Sequence, residues 1–281
     1  MANIKDLLQN QDPSRACDKP LFTFALTKDA AKANEKVLES FNFNLPLALK
    51  AQRNSPLYFG SEFQPIEKLK RIFALHPLWP LVKVYLRDGI TFPLAPISEE
   101  LRCKDCAYMI SRGNHKSATT PAGLKLVKEH MSADVDHGFA LPLPMNCLQH
   151  FKTQCSIAPL GVQDQSSLTD DGVRIPKWRM THDQTFPGEA SKLSVNKRVL
   201  KEELPKCLYG HALLRMLHFI VDLRYKHPDK RILIGKFDLK AAFRRAHLSP
   251  ESALESMSTL DDTLLVSLRL TFGGAPCPPT W

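Results

Sequence analysis

Residues Arg231–Leu248 read RILIGKFDLKAAFRRAHL. The run Ile232–Ile234 is apolar and β-type, and a single carboxylate, Asp238, stands just past it. The chain then turns helical at Ala241-Ala242-Phe243 and closes on Arg244 and Arg245. A buried strand that delivers one Asp to its tip, followed by a basic helical turn, suits metal-assisted phosphoryl transfer. The Asp oxygens can bind Mg²⁺ while the cations face phosphates. The same letters also fit an ordinary strand whose terminal Asp caps the next helix. One Asp does not separate the two readings.

The charge around this stretch points to a polyanion. Between Asp171 and Pro250 there are 17 Lys and Arg against 8 Asp and Glu, while the rest of the chain carries 21 of each. The whole net charge of +9 therefore lies in the segment that contains Asp238. Such a cluster is the footprint of a nucleic-acid partner before that of a membrane surface. A solvated basic face with no partner is the plainer alternative.

The 281 residues, 43% hydrophobic and 24% charged, have the composition of an ordinary globular protein with one large core or two smaller ones. No stretch reaches the ~20 apolar residues needed to span a bilayer. The N-terminal MANIKDLLQNQDPSRACDKP has no apolar core of a secretory signal. Seven scattered Cys fit a reducing compartment, so the expectation is an intracellular protein of cytoplasm or nucleus with no membrane partner.

Residues 1–27, broken by Pro13 and Pro20, read as a loose arm. Thr27 can cap a helix through about Ser40. Further helical patterns lie near Pro65–Leu75, Ser98–Ser111 and Ala122–Ser132, with Pro77, Pro80, Pro93 and Pro96 between the first two. Residues 28–150 are thus expected to be mostly helical. Cys103-Lys104-Asp105-Cys106 is a lone C-x-x-C. It can be half of a zinc site, with His115, Cys147 or Cys155 recruited by the fold, or simply two thiols on one side of an exposed helix. The polar loop Gly113–Ser117 could touch a phosphate, but its spacing specifies nothing.

The texture changes near Cys155. Ser156–Leu160 and Gly172–Asp183 read as extended arms around an Asp-Gly turn, and the second carries Lys177, Trp178, Arg179, His182 and Asp183. Leu208–Lys226 reads as an amphipathic helix with the stripe Leu213, Leu214, Leu217, Ile220, Val221 and Tyr225 buried. His211 and His218 read as packing or rim residues. The helix and the strand Ile232–Ile234 are expected to form an α/β layer. A short helix at Pro250–Ser256 and two strand arms around Asp261-Asp262 follow, the Asp pair making a turn in preference to a metal site.

Three blocks in this order resemble a reverse transcriptase. Trp178-Arg179, Asp183 and Ser194-Val195-Asn196 resemble the fingers hairpin of that family. Lys236-Phe237-Asp238-Leu239-Lys240-Ala241-Ala242-Phe243 resembles the palm motif with the first metal-binding Asp. Leu270-Thr271-Phe272-Gly273, with Pro278 five beyond the Gly, resembles the loop near template and nucleotide. The resemblance covers about residues 156–281. It implies an α+β fold in which a helical N-terminal region (28–150) precedes a fingers hairpin and an incomplete palm (151–281). The activity it implies is two-metal transfer of deoxynucleoside triphosphates (dNTPs) to a primer. By that resemblance Asp238 and the Leu239 carbonyl hold Mg²⁺, and Arg179 with Lys177 meets the triphosphate. Phe243 screens the sugar, and Phe272 and Gly273 lie by the nucleotide. Lys197, Arg198, Lys240, Arg244 and Arg245 hold the RNA or DNA template-primer. The later Tyr-x-Asp-Asp-type strand is absent from the sequence, and Thr271 stands where Pro is usual. The chain is therefore expected to be the front part of a retroelement polymerase, inactive alone. A non-enzymatic nucleic-acid-binding remnant is the alternative.

Overall fold

A computed structural model describes residues 21–52, 66–169, 171–206, 211–235 and 242–280. Helix and strand are mixed, an α+β arrangement. Among the described residues of the first half there are seven helices: α1 (Lys28–Ser40), α2 (Leu45–Gln52), α3 (Ile66–Phe73), α4 (Trp79–Asp88), α5 (Glu99–Arg112), α6 (Lys116–Thr119) and α7 (Pro121–Asp136). Their starts follow local chemistry. Thr27, Ser98 and Thr120 cap α1, α5 and α7 by accepting the backbone N–H of Ala30, Leu101 and Gly123. Pro121 and Pro80 sit in first turns, where a missing N–H costs nothing. Helices α2, α4 and α6 are additions to the sequence reading.

The central sheet joins both halves of the chain. Strand β1 (Ala140–Pro144) pairs antiparallel with β7 (Thr263–Ser267), and β7 with β6 (Met257–Leu260), in the order β1-β7-β6. The middle strand, TLLVS, is almost wholly buried, as expected where both faces are covered. Pro142 and Pro144 confine β1 to an edge, because proline cannot donate to a second ladder. That edge is closed by Asn34, itself fully buried, whose Nδ2 donates to the Pro142 and Thr23 carbonyls while its Oδ1 accepts the Thr23 N–H. One core runs from Phe22 and Leu38 through Leu141 and Leu143 to Leu264 and Leu270, so residues before and after position 150 share it.

Asp261-Asp262 makes the β6–β7 turn. Asp261 takes φ +50°, a conformation in which Asp is enriched. Each carboxylate meets a lysine, Lys128 on Asp261 and Lys28 on Asp262.

The extended arms form a hairpin shifted toward the C-terminus on its first side. Strand β2 (Leu160–Asp164) pairs with β5 (Trp178–His182), and β3 (Ser167–Leu168) with β4 (Arg174–Ile175) nearer the tip. The short helix α8 (Val195–Arg198) and the long α9 (Ala212–Lys226) follow, then α10 (Pro250–Leu254) and α11 (Cys277–Thr280).

Two expectations are corrected. Ile232–Ile234 is not a strand: nothing pairs with it among the described residues, and Leu233 and Ile234 are 77% and 67% exposed. A β-type side-chain run without a ladder partner has no reason to stay in register. The stripe of α9 is not buried either. Leu213, Leu214, Leu217, Val221 and Tyr225 are all exposed, and no residue of the helix is buried. The expected α/β layer is therefore not formed by the described residues.

Candidate functional site

The end of β5 and the segment 270–275 are held against each other by a dense set of hydrogen bonds. The His182 N–H donates to the Phe272 carbonyl at 3.2 Å. Gly273 follows at φ +129°, and a Cβ there would press directly into the His182 carbonyl oxygen, so the close approach needs glycine. Gln184, buried, donates from Nε2 to the Thr271 hydroxyl at 3.1 Å. Thr271, which stands where the resembling family has proline, thus uses its hydroxyl inside the fold. From α8, Asn196 donates to the Gly273 carbonyl at 2.8 Å and accepts the Ala275 N–H at 2.7 Å. Its own N–H goes to the Gln184 carbonyl. Ser194 caps α8 through the Lys197 N–H and so fixes the Asn196 backbone.

Phe272, 40% exposed, stands at the edge of this ladder. The Phe243 ring lies 6.4 Å from it, tilted at 43°, and the Arg179 guanidinium lies 5.8 Å over its face. Arg179, Phe243, Phe272 and Gly273 therefore meet, although they come from three separate sequence blocks. Lys177, just before β5, and Lys197, on α8, are exposed. Asp238, Leu239 and Lys240 lie outside the described residues.

Two of the arginines expected to hold nucleic acid do not face solvent. Arg198 is 4% exposed and forks onto Glu255, with Nη1 and Nη2 each 2.9 Å from a carboxylate oxygen. Arg102 adds a third bond at 2.7 Å and Ser156 a fourth at 2.6 Å. Burial alone would raise the Glu255 carboxyl, but the bonds from Arg198 and Arg102 outweigh it and hold it below its ordinary range. Arg244 is similarly enclosed. Its Nη2 donates to Asp134 of α7 and to His182 Nε2 of β5. Desolvation lowers the Arg244 guanidinium from its usual value, and Asp134 opposes that. His182 is fully enclosed, so desolvation and the Arg244 charge push it down to about 3. It is neutral, with its proton on Nδ1 because Nε2 accepts from Arg244. The resemblance gave both arginines to nucleic acid, and guanidinium is rarely buried unless paired. The partners, Glu255 and Asp134, lie 57 and 110 residues away. Arg245 is half-buried, and its carbonyl accepts from Arg269.

Opposite Phe272–Gly273, a groove of about 710 Å³ is walled by Arg112, His115, Lys116 and Asp183. His115 Nε2 donates to Asp183 at 2.9 Å, while Arg112 Nη2 donates to His115 Nδ1 at 3.3 Å. Arg112 also stacks 4.0 Å over the Phe186 ring, and that ring meets His115 edge-on. Asn114 pins the loop by accepting the Leu160 N–H and donating to the Thr259 carbonyl. The loop Gly113–Ser117 is thus one wall of the groove. Only its polar composition hinted at that.

No protein-family model, curated protein or solved structure matches the chain.

The groove combines an exposed aromatic ring with cations on both sides, an arrangement that suits an unstacked base and its phosphates. For Mg²⁺ the described residues offer no donor set. Asp183 is engaged by His115 and Asp134 by Arg244, and no three His, Cys, Asp or Glu come together as metal ligands among the described residues. Of the C-x-x-C pair, Cys106 is buried and Cys103 half-buried. Asp105 between them anchors the 188–191 loop by accepting the Ala190 and Ser191 N–H groups.

Proposed function

We propose that the chain is the front part of an RNA-directed DNA polymerase of retroelement type, carrying its fingers hairpin and part of its palm. The observation that carries this reading is the meeting of Arg179, Phe243 and Phe272–Gly273 at one ladder, since each comes from a different block of the resemblance. In this reading Arg179 neutralises a triphosphate, Phe243 screens the sugar, and the groove beside Phe272 takes the template strand. Asp238 and the Leu239 carbonyl are the Mg²⁺ ligands the resemblance implies. One carboxylate does not hold two metals, so the chain alone binds template-primer without extending it.

The test is primer extension on a homopolymer RNA template with Mg²⁺ and the matching dNTP, run on the wild type and on Asp238→Ala. Each is paired with a salt titration of RNA binding. Salt-dependent binding without extension is the expected result. Extension that disappears in Asp238→Ala would make the chain an active polymerase and overturn only its expected inactivity. Absence of binding at low salt would remove the nucleic-acid reading altogether. A non-enzymatic nucleic-acid-binding remnant is the second reading, resting on the exposed Phe272 ring beside the cations that wall the groove. It predicts the same binding, with no dependence on dNTP or on Asp238.

A further inference from the structure

The C-x-x-C spacing on α5 would pair Cys103 with Cys106, but the geometry turns Cys106 toward a different partner. Its Sγ lies 3.6 Å from the Sγ of Cys155, 49 residues further on, and both residues are buried. We propose that Cys106 and Cys155 form a hydroperoxide-responsive thiol pair that closes to a reversible disulfide, tying α5 to the segment ahead of β2.

Three features distinguish this pair from two thiols that merely fill core volume. The sulfurs are in direct hydrogen-bond contact. A cavity of about 40 Å³ is lined by both cysteines together with Arg102, Ser156 and Arg198, space for a water-sized oxidant. The two thiols are also unlike each other. The bond from Cys155 lowers Cys106, and the Arg102 charge supports this against burial. Cys155 is held well above the ordinary thiol range. Cys106 is therefore the sulfur that attacks, and Cys155 the one that keeps its proton.

The steps balance. The Cys106 thiolate attacks one oxygen of hydrogen peroxide: an S–O bond forms, the O–O bond breaks, and the departing hydroxide takes up the proton Cys106 had released, leaving as water. The Cys155 sulfur then attacks the Cys106 sulfenic sulfur. An S–S bond forms, the S–O bond breaks, and the oxygen leaves as a second water with the Cys155 proton. The peroxide gains two electrons, one from each sulfur. A dithiol returns both by exchange.

Closing the pair draws on a part of the fold that is already tight. Ser156, next to Cys155, donates to Glu255, and Arg102, one turn before Cys106, donates to the same carboxylate. The oxidised form should therefore melt at a higher temperature than the reduced form, since the bond constrains the unfolded chain.

The experiment treats the full folded chain with hydrogen peroxide, blocks remaining thiols with an alkylating reagent under denaturing conditions, and maps the peptides by mass spectrometry. The expected product is a Cys106–Cys155 cross-linked peptide, lost on dithiothreitol, present in Cys103→Ser and absent in Cys155→Ser, with a raised Tm in the oxidised wild type. A Cys103–Cys106 cross-link, or alkylation of both Cys106 and Cys155 at peroxide levels that oxidise Cys103 in the still-folded chain, would overturn the proposal. So would loss of the cross-link in Cys103→Ser.

Discussion

Replacing Arg198 with alanine distinguishes a structural guanidinium from a nucleic-acid contact. In the wild type the Arg198 side chain is 3% exposed and its partner Glu255 11%, and the pair shares two bonds of 2.9 Å. Removing one member of such a pair strands a buried charge, at a cost of about 3–5 kcal/mol. Arg102 and Ser156 still reach Glu255, so the loss belongs at the lower end, about 3 kcal/mol. At about 2–4 °C per kcal/mol for a chain of this size, Tm should fall by about 6–12 °C. Urea unfolding followed by circular dichroism should show the same loss as a lower midpoint at unchanged slope. The pH dependence gives an internal check. Glu255 is held below its ordinary value of 4.5 in the fold, so the stability it supplies is complete above that value. It is lost as pH falls through the folded pKa, and the gap between wild type and Arg198→Ala should shrink as pH falls below 4.5. RNA binding should keep its salt slope in Arg198→Ala. In Lys197→Ala, whose side chain is exposed, the slope should ease by about 0.7 for one lost phosphate contact. A variant that melts within 2 °C of wild type (~0.5–1 kcal/mol) while its salt slope eases would refute the structural assignment.

Three further outcomes are expected. His182, held neutral near a folded pKa of about 3, binds fewer protons than it does unfolded. Its contribution is therefore whole above 6.5 and falls by on the order of 1.4 kcal/mol per pH unit below that, a slope that melts of His182→Gln between pH 4 and 7 should lack. Gly273→Ala forces a Cβ toward the His182 carbonyl at φ +129° and should cost about 1–3 kcal/mol in urea unfolding. A neutral result would mean that the 270–275 segment can move away from β5. Phe272→Ala should leave Tm nearly unchanged, because the ring is 40% exposed, yet weaken single-stranded RNA binding by about 5- to 150-fold, the loss of one stacked base. Equal affinity in filter binding would exclude the ring from the interface.

Where one residue's chemistry decides the local structure, the sequence was readable. Thr27 and Ser98 each offer an oxygen to a helix start, and the helices begin there. Asp261-Asp262 between alternating arms made the turn its composition implied. The hairpin carrying Arg179 formed around its Asp-Gly turn. Failures came where a distant partner decides. Leu213 and Leu217 make an apolar stripe whether or not a sheet lies beneath it, and here they are exposed. Ile232–Ile234 has β-type side chains but no ladder to join. Cys106 was read as half of a zinc site or as one of two thiols on an exposed helix, and it lies buried against Cys155, 49 residues away.

The same distance effect revises the charge argument. The segment 171–250 holds nine more cations than carboxylates, which suggested a wide basic face. Two of those cations, Arg198 and Arg244, are matched by Glu255 and Asp134, carboxylates from outside the segment, and all four are withdrawn from solvent or nearly so. Arg174 lies on Asp164 and Lys192 on Glu189 at the surface, where such pairs are weak and leave the field partly open. What remains near the groove is a narrower set. Arg179 lies over Phe272, Lys177 precedes it by two residues, and Lys197 stands one residue from the Asn196 bond to Gly273. A partner held by a few phosphates and an exposed ring is a short single strand, not a long duplex laid along a basic face. Its salt slope should accordingly be that of about four phosphate contacts, these three and the exposed Lys116 on the groove wall, roughly −3 for single-stranded RNA. A slope several times steeper would mean that cations outside this set carry the binding.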